Sequence, residues 1–130
     1  MILIDSSAWI EFLRNTSSPI CERVDELLDD DVAICDSIRM EILAGARDDR
    51  HLRDLRRLLA RATNLPTRAS NYEEAASLHR ICRRGGETVR RLIDCLIASV
   101  AIREDIPVLH HDADYEVLSR HTELRIELLQ

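Results

Sequence analysis

Short runs that are apolar without alternation, such as Met1-Ile2-Leu3-Ile4, read as strands buried on both faces. Between them lie longer segments whose apolar residues recur at helical spacing. The pattern predicts strand 2–5, helix 7–15, helix 19–29 opened by Pro19, strand 32–35, helix 37–46 and helix 50–61. It continues with strand 63–65, helix 70–84, helix 92–104, strand 107–110, helix 112–120 and strand 124–128. Strands separated by helices imply a central, mainly parallel sheet of about five strands covered on both faces, an α/β fold with three-layer α/β/α architecture. A chain of 130 residues, 45% hydrophobic, suffices for one core and is short for two. No linker, internal repeat or low-complexity segment divides it, so residues 1–130 are expected to form a single domain.

Four acids stand at the ends of, or within, these apolar elements. Asp5 follows the first strand and precedes Ser6-Ser7-Ala8-Trp9, so it projects from the C-terminal edge of the sheet, where open α/β sheets bind ligands. Asp112 repeats this arrangement after Ile106-Pro107-Val108-Leu109-His110-His111. Glu41 lies inside Ser37-Ile38-Arg39-Met40-Glu41-Ile42-Leu43-Ala44-Gly45, a helix with Asp36 or Ser37 as its N-cap and Gly45 as its stop. Asp94 opens the most hydrophobic stretch and shares a helical face with Ile97, Ala98 and Ala101, which should point inward. Taken singly, each has a structural explanation: Asp5 and Asp112 as helix caps, Asp94 as a first-turn acid, Glu41 as a solvated helix residue. Taken together, carboxylates at one sheet edge repel and desolvate one another unless cations neutralise them. All-oxygen ligands suit Mg²⁺ or Mn²⁺ rather than zinc, and the chemistry that follows is activation of water against a phosphodiester.

Four segments carry a resemblance: Asp5-Ser6-Ser7-Ala8-Trp9-Ile10-Glu11-Phe12-Leu13-Arg14, Met40-Glu41-Ile42-Leu43-Ala44-Gly45-Ala46, Ile93-Asp94-Cys95-Leu96-Ile97-Ala98 and Leu109-His110-His111-Asp112-Ala113-Asp114-Tyr115. In order and separation they resemble the signature segments of PIN-domain ribonucleases, most closely the VapC toxins of VapBC toxin–antitoxin pairs. The resemblance implies a Mg²⁺- or Mn²⁺-dependent endoribonuclease in which Asp5, Glu41, Asp94 and Asp112 are catalytic. Asp5, Asp94 and Asp112 would hold one or two ions, Asp114 would add a further acid or support from behind, and Glu41 would orient or deprotonate the attacking water. Ser6 stands where many relatives have threonine and keeps the hydroxyl that would hold a carboxylate or water. The same resemblance implies a homodimer, a VapB-type antitoxin that blocks the site with a basic side chain, and a structured RNA substrate such as tRNA; a cytoplasmic location is expected instead from cysteines that read as free thiols.

Charge and composition narrow the field. All 18 basic residues are arginine, and with three glycines and no lysine the chain lacks a P-loop. Phosphoaspartyl hydrolases of the haloacid-dehalogenase type also carry a strand-end aspartate, but they need a second acid where this chain has Ser7. The net charge of −6 argues against a nucleic-acid partner only until its distribution is considered. Arg50, Arg53, Arg56, Arg57 and Arg61 form a helical stripe, read as a solvated face pairing with Asp48, Asp49 and Asp54. Arg80, Arg83, Arg84, Arg90 and Arg91 surround the glycine-containing loop before Asp94, which would deliver Arg90 and Arg91 to an RNA backbone. With one Trp, two Tyr and one Phe there is no stacking platform for single strands, so recognition would depend on shape and phosphate contacts.

Cys21, Cys35, Cys82 and Cys95 have neither zinc nor redox spacing and read as buried thiols in a reducing compartment. His110 and His111 point to opposite sides of a strand end and are not assigned as ligands. No apolar run approaches the ~20 residues that cross a membrane, and no signal peptide precedes the first strand. The early helices carrying Trp9, Phe12 and Leu13 are candidates for a dimer surface, or else plain core. Two other classes share these acids. A structure-specific DNA nuclease would cut DNA flaps and leave RNA intact, and a non-catalytic PIN-like module would be expected to have lost an acid, whereas all four are present.

Overall fold

The central strand is the first one. β1 (Ile2–Ile4) pairs in parallel with β2 (Val32–Cys35) on one side, Leu3 opposite Ala33, and with β4 (Val108–Leu109) on the other, Leu3 opposite Val108. β3 (Thr63–Leu65) extends the sheet beyond β2, giving the order β3-β2-β1-β4 with every pairing parallel. The computed structural model describes residues 1–129. Because all strands run the same way, the residues that leave β1 and β4 emerge at one edge, and the Asp5 N–H donates to Leu109 O at 2.9 Å.

Seven helices flank this sheet among the described residues: α1 (Ser6–Leu13), α2 (Pro19–Leu27), α3 (Asp36–Ala44), α4 (Asp49–Leu59), α5 (Ala69–Arg84), α6 (Leu92–Glu104) and α7 (Ala113–His121). α1 packs on α2 and α3, whereas α5, α6 and α7 pack on one another. Leu3, Ile4, Ile34, Ile38, Ile97, Leu109 and Leu118 form the sealed core. α6 is apolar nearly all round and has Asp94, Cys95, Ile97, Ala98, Ser99, Val100 and Ala101 buried, as a helix must that is covered on several sides. The predicted inward face of Ile97, Ala98 and Ala101 is therefore found, and Asp94 is carried inward with it. Pro19 opens α2 behind the Ser18 cap, and α1 stops where Asn15 and Ser17 adopt left-handed backbone.

Three expectations are corrected. The fifth strand, expected at 124–128, is reduced to a single parallel bridge between Val108 and Ile126. β4 spans only two residues before the chain turns to α7, so Val108 alone offers a free edge, accepting from Glu127 N at 2.9 Å and donating to Arg125 O at 3.0 Å. The cap of α3 is Cys35, not Asp36 or Ser37, because β2 runs straight into the helix; Asp36 is its first residue and accepts from Asn64 Nδ2 at 3.1 Å. Trp9 is 1% exposed, stacked edge-on against Phe12, and belongs to the core, leaving Ile10 and Leu13 as the exposed apolar residues of α1. Among the described residues no helix is long and apolar enough to cross a membrane.

Ile4 is fully buried immediately before Asp5. Ile4→Ala is expected to cost about 2–5 kcal/mol by the cavity it leaves, measured as a lower denaturation midpoint in urea.

Candidate active site

Each of the sheet-edge acids is placed by a local backbone requirement. Asp5 caps α1: its Oδ2 accepts from Ser7 N at 3.0 Å and from Ser7 Oγ at 2.6 Å, and its Oδ1 accepts from the Tyr115 hydroxyl at 2.7 Å. Asp112 caps α7, its Oδ1 accepting from Asp114 N at 2.9 Å. Capping and site-building thus use the same atoms. Asp94, in the first turn of α6, and Asp114, in the first turn of α7, are each 2% exposed. Carboxylate oxygens of Asp94, Asp112 and Asp114 all lie within 4.8 Å of one another. Asp5 joins this group through Tyr115, whose hydroxyl oxygen is also 3.4 Å from Asp94 Oδ1. Glu41 is bound to the rim instead: Ser6 Oγ donates to its Oε1 at 3.1 Å and Arg91 Nη2 to its Oε2 at 2.5 Å.

The electrostatics are uneven. Burial, followed by the hydrogen bond with Asp114 and the charge of Asp5, pushes the Asp94 carboxyl up to about 8. Burial acts on Asp114 in the same direction, but it is outweighed by hydrogen bonds from Arg90 N, Asp94, the Arg90 side chain and Arg91 N, which hold Asp114 below the usual carboxylate range. Asp114 Oδ1 accepts from Arg90 N at 3.2 Å and its Oδ2 from Arg91 N at 3.1 Å, so its charge is met by two fixed backbone donors. Among the described residues no N–H group or hydroxyl of another side chain donates to the buried Asp94 Oδ2. A buried carboxylate oxygen with no donor, beside other acids, is the environment a hard divalent cation would satisfy. Burial also raises the Tyr115 phenol well above its ordinary pKa, reinforced by the charges of Asp5 and Asp94, so it remains a donor.

Arg90 and Arg91 supply the nearest positive charge. Arg90 Nη2 lies 3.1 Å from Asp112 Oδ1 and its Nε 3.3 Å from Asp114 Oδ1. The loop that carries them is pinned by buried Val89 and by Glu87, which binds Arg120 and His121. A Cβ on Gly85 would strike the His121 ring, and Gly86 has φ 92°, which explains glycine at both positions. The expected stripe on α4 is solvated, yet few of its arginines are paired: Arg57 reaches Asp54 at 3.8 Å, while Arg61 pairs with Asp29 outside the helix.

All eight sequence-derived candidates, Asp5, Ser6, Glu41, Arg90, Arg91, Asp94, Asp112 and Asp114, therefore line one region. Ser7 and Tyr115 were not among them. Ser7 carried a weak signal as the residue two beyond a capping aspartate, the usual donor to such a side chain. Tyr115 reads as an ordinary core aromatic of α7. His110 turns inward, its ring centroid 5.2 Å from that of Tyr115, with its pKa depressed by burial, whereas His111 turns outward toward Glu11.

A folded-state pKa of about 8 against an unfolded value of 3.8 means that Asp94 penalises the metal-free fold progressively as pH rises from about 4 to about 8. Asp94→Asn removes that penalty. In EDTA the unfolding temperature of Asp94→Asn should equal wild type near pH 4 and exceed it by about 4 °C or more at pH 8, the gap widening between those limits.

Residues 2–121 match the family model described as the PIN domain. The chain is 44% identical over 129 residues to the VapC ribonuclease Mb1587 of Mycobacterium bovis and, equally, to the ribonuclease VapC11 of Mycobacterium tuberculosis, covering 96% of each chain. Its fold matches the structure of VapBC2 from Rickettsia felis bound to a promoter DNA fragment with TM-score 0.78 at 18% identity, covering 100% of both chains. It also matches DNA-bound VapBC from Salmonella typhimurium with TM-score 0.76 at 21% identity, covering 97% of this chain and 96% of that one. An all-parallel sheet with acids gathered at the ends of β1 and β4, a matched family model over nearly the whole chain, and close curated relatives place this protein in the PIN-domain family, among the VapC ribonucleases.

Proposed function

We propose that this chain is the toxin of a toxin–antitoxin pair, a Mg²⁺- or Mn²⁺-dependent endoribonuclease whose single domain hydrolyses phosphodiesters in tRNA or another structured RNA of the cytoplasm. The observation that carries the metal site is the buried Oδ2 of Asp94, to which no N–H group or hydroxyl donates among the described residues, within reach of Asp112 and Asp114. Asp5, Asp94, Asp112 and Asp114 are the residues that would hold the ion or ions. A divalent ion held there would lower the pKa of water and stabilise charge building at the scissile phosphate. No side chain attacks. Glu41, steadied by Ser6, orients the attacking water and accepts its proton. Asp114, fixed by Arg90 N and Arg91 N, keeps the loop before α6 against the acids.

In this reading Arg90 and Arg91 exchange their carboxylate partners for RNA phosphates when substrate arrives, so the loop reports occupancy of the site. The exposure of both side chains supports the exchange, at 69% for Arg90 and 47% for Arg91. A VapB-type antitoxin is the partner, its tail lying in the groove of about 340 Å³ beside Glu41, where Ile10, Leu13 and Ile42 meet Arg14 and Arg47. A basic side chain at the end of that tail would complement Glu41 and the acids behind it. The toxin itself acts as a homodimer.

The direct test is incubation of cellular RNA with purified protein in Mg²⁺, in Mn²⁺ and in EDTA. Discrete fragments are expected from wild type only with metal, none from Asp94→Asn, and roughly 10²–10⁴-fold slower cutting by Glu41→Gln. Equal cutting by wild type and Asp94→Asn, or cutting of DNA flaps with RNA untouched, would refute the assignment. For the loop, Arg90→Ala combined with Arg91→Ala in an Asp94→Asn background should weaken RNA binding and reduce the slope of log affinity against log salt by about 1.4–1.8. An unchanged slope, measured by fluorescence anisotropy, would remove both arginines from the RNA contact.

A further inference from the structure

Tyr115 takes no part in the hydrolysis described above, yet among the described residues its side chain is the one hydrogen-bonded to both Asp5 and Asp94. It is 0% exposed, and its ring is packed beside His110. A phenylalanine would fill the same space, so the hydroxyl needs an explanation apart from packing. A phenol has a single proton to donate, and the distances assign it: 2.7 Å to Asp5 Oδ1 against 3.4 Å to Asp94 Oδ1. The other oxygen of Asp5 is already saturated. Its Oδ2 accepts from both the backbone N–H and the hydroxyl of Ser7, which uses the two lone-pair directions a carboxylate oxygen has. The Ser7 hydroxyl oxygen is itself held beside Asp5, since it accepts from His111 N at 2.8 Å. What Asp5 has left is one lone pair, and it is on Oδ1, the atom Tyr115 holds.

We propose that Tyr115 is a positioning residue for the metal centre: with Ser7 it clamps Asp5 from both sides, so that Asp5 can bind an ion through Oδ1 alone. The inference rests on the metal-dependent reading of the site given above. It explains why a polar aromatic is buried between two acids, and it divides the work between them: Asp5 arrives fully oriented by its neighbours, while Asp94 arrives with a bare oxygen. Groups that orient ligands in this way are worth about 10–100-fold in metal affinity when removed.

The test is a Mn²⁺ titration of the full chain, following the paramagnetic resonance of free Mn²⁺, for wild type, Tyr115→Phe and Ser7→Ala, with unfolding in EDTA as the control for folding. Tyr115→Phe is expected to unfold in EDTA within a few degrees of wild type and to bind Mn²⁺ about 10–100-fold more weakly. Cleavage by that variant should require correspondingly more Mn²⁺ while its KM for RNA is unchanged. Ser7→Ala, which opens the clamp from the other side without touching the core, should also bind more weakly, and it decides the matter should Tyr115→Phe fail to fold. Wild-type affinity in a folded Tyr115→Phe, or in Ser7→Ala where that variant decides, overturns the proposal and leaves the metal-dependent reading standing. Absence of Mn²⁺ binding by wild type overturns both.

Discussion

Negative charge gathered in a place with little water is the constraint around which this molecule is arranged. Asp5, Asp94, Asp112 and Asp114 converge because β1 lies beside β4 in a parallel sheet, so that two strand ends and the first turns of α6 and α7 meet at one edge. Such a cluster opposes folding, and the surrounding chain responds with donors. Backbone N–H groups at helix starts serve Asp5, Asp112 and Asp114, and guanidinium groups from the loop before α6 reach the outer acids. Glu87 and Val89 hold that loop in place from behind, so residues well outside the acids bear on their balance.

The compensation is deliberately incomplete in one direction. Asp114 is well supplied with donors, which hold it below the usual carboxylate range, whereas among the described residues no N–H or hydroxyl donates to Asp94 Oδ2. Closing that gap with another arginine or a serine would stabilise the metal-free fold and fill the space a cation would need. The arginine side chains that do approach are long and exposed: Arg91 pairs with Glu41 at the rim, and Arg90 pairs with Asp112 and the buried Asp114. Rigid support for Asp5 and Asp114, an oxygen of Asp94 open to a ligand and exposed arginine side chains at Arg90 and Arg91 fit the proposed site, which would take both a cation and a polyanion.

How far this was legible from the residues depended on how local the physics was. Asp5 and Asp112 could be placed because a strand end followed by a capping acid is a short-range pattern. Asp94 could be placed because helical spacing puts it on the face of Ile97 and Ala101. The pairing of Arg91 with Glu41, fifty positions apart, and the reach of Tyr115 to Asp5 are long-range contacts that no periodicity encodes. The segment 124–128 alternates like a strand, yet its partner β4 is too short to extend a ladder, and that length is set by the turn into α7. Trp9 was ambiguous between surface and core for the same reason: burial of one face of α1 depends on where α2 and α3 settle.

The acids at this sheet edge would, on the proposed function, be held for a divalent cation. Crystals grown with Mn²⁺ and measured at the manganese absorption edge test it most directly. An anomalous peak is expected in contact with Asp94, with Asp112 or Asp114 beside it and Asp5 touching it through Oδ1 only, and the Arg90 guanidinium displaced from the carboxylates it otherwise binds. A peak elsewhere on the molecule, or none at saturating Mn²⁺ with the arginines still seated on the acids, would contradict it.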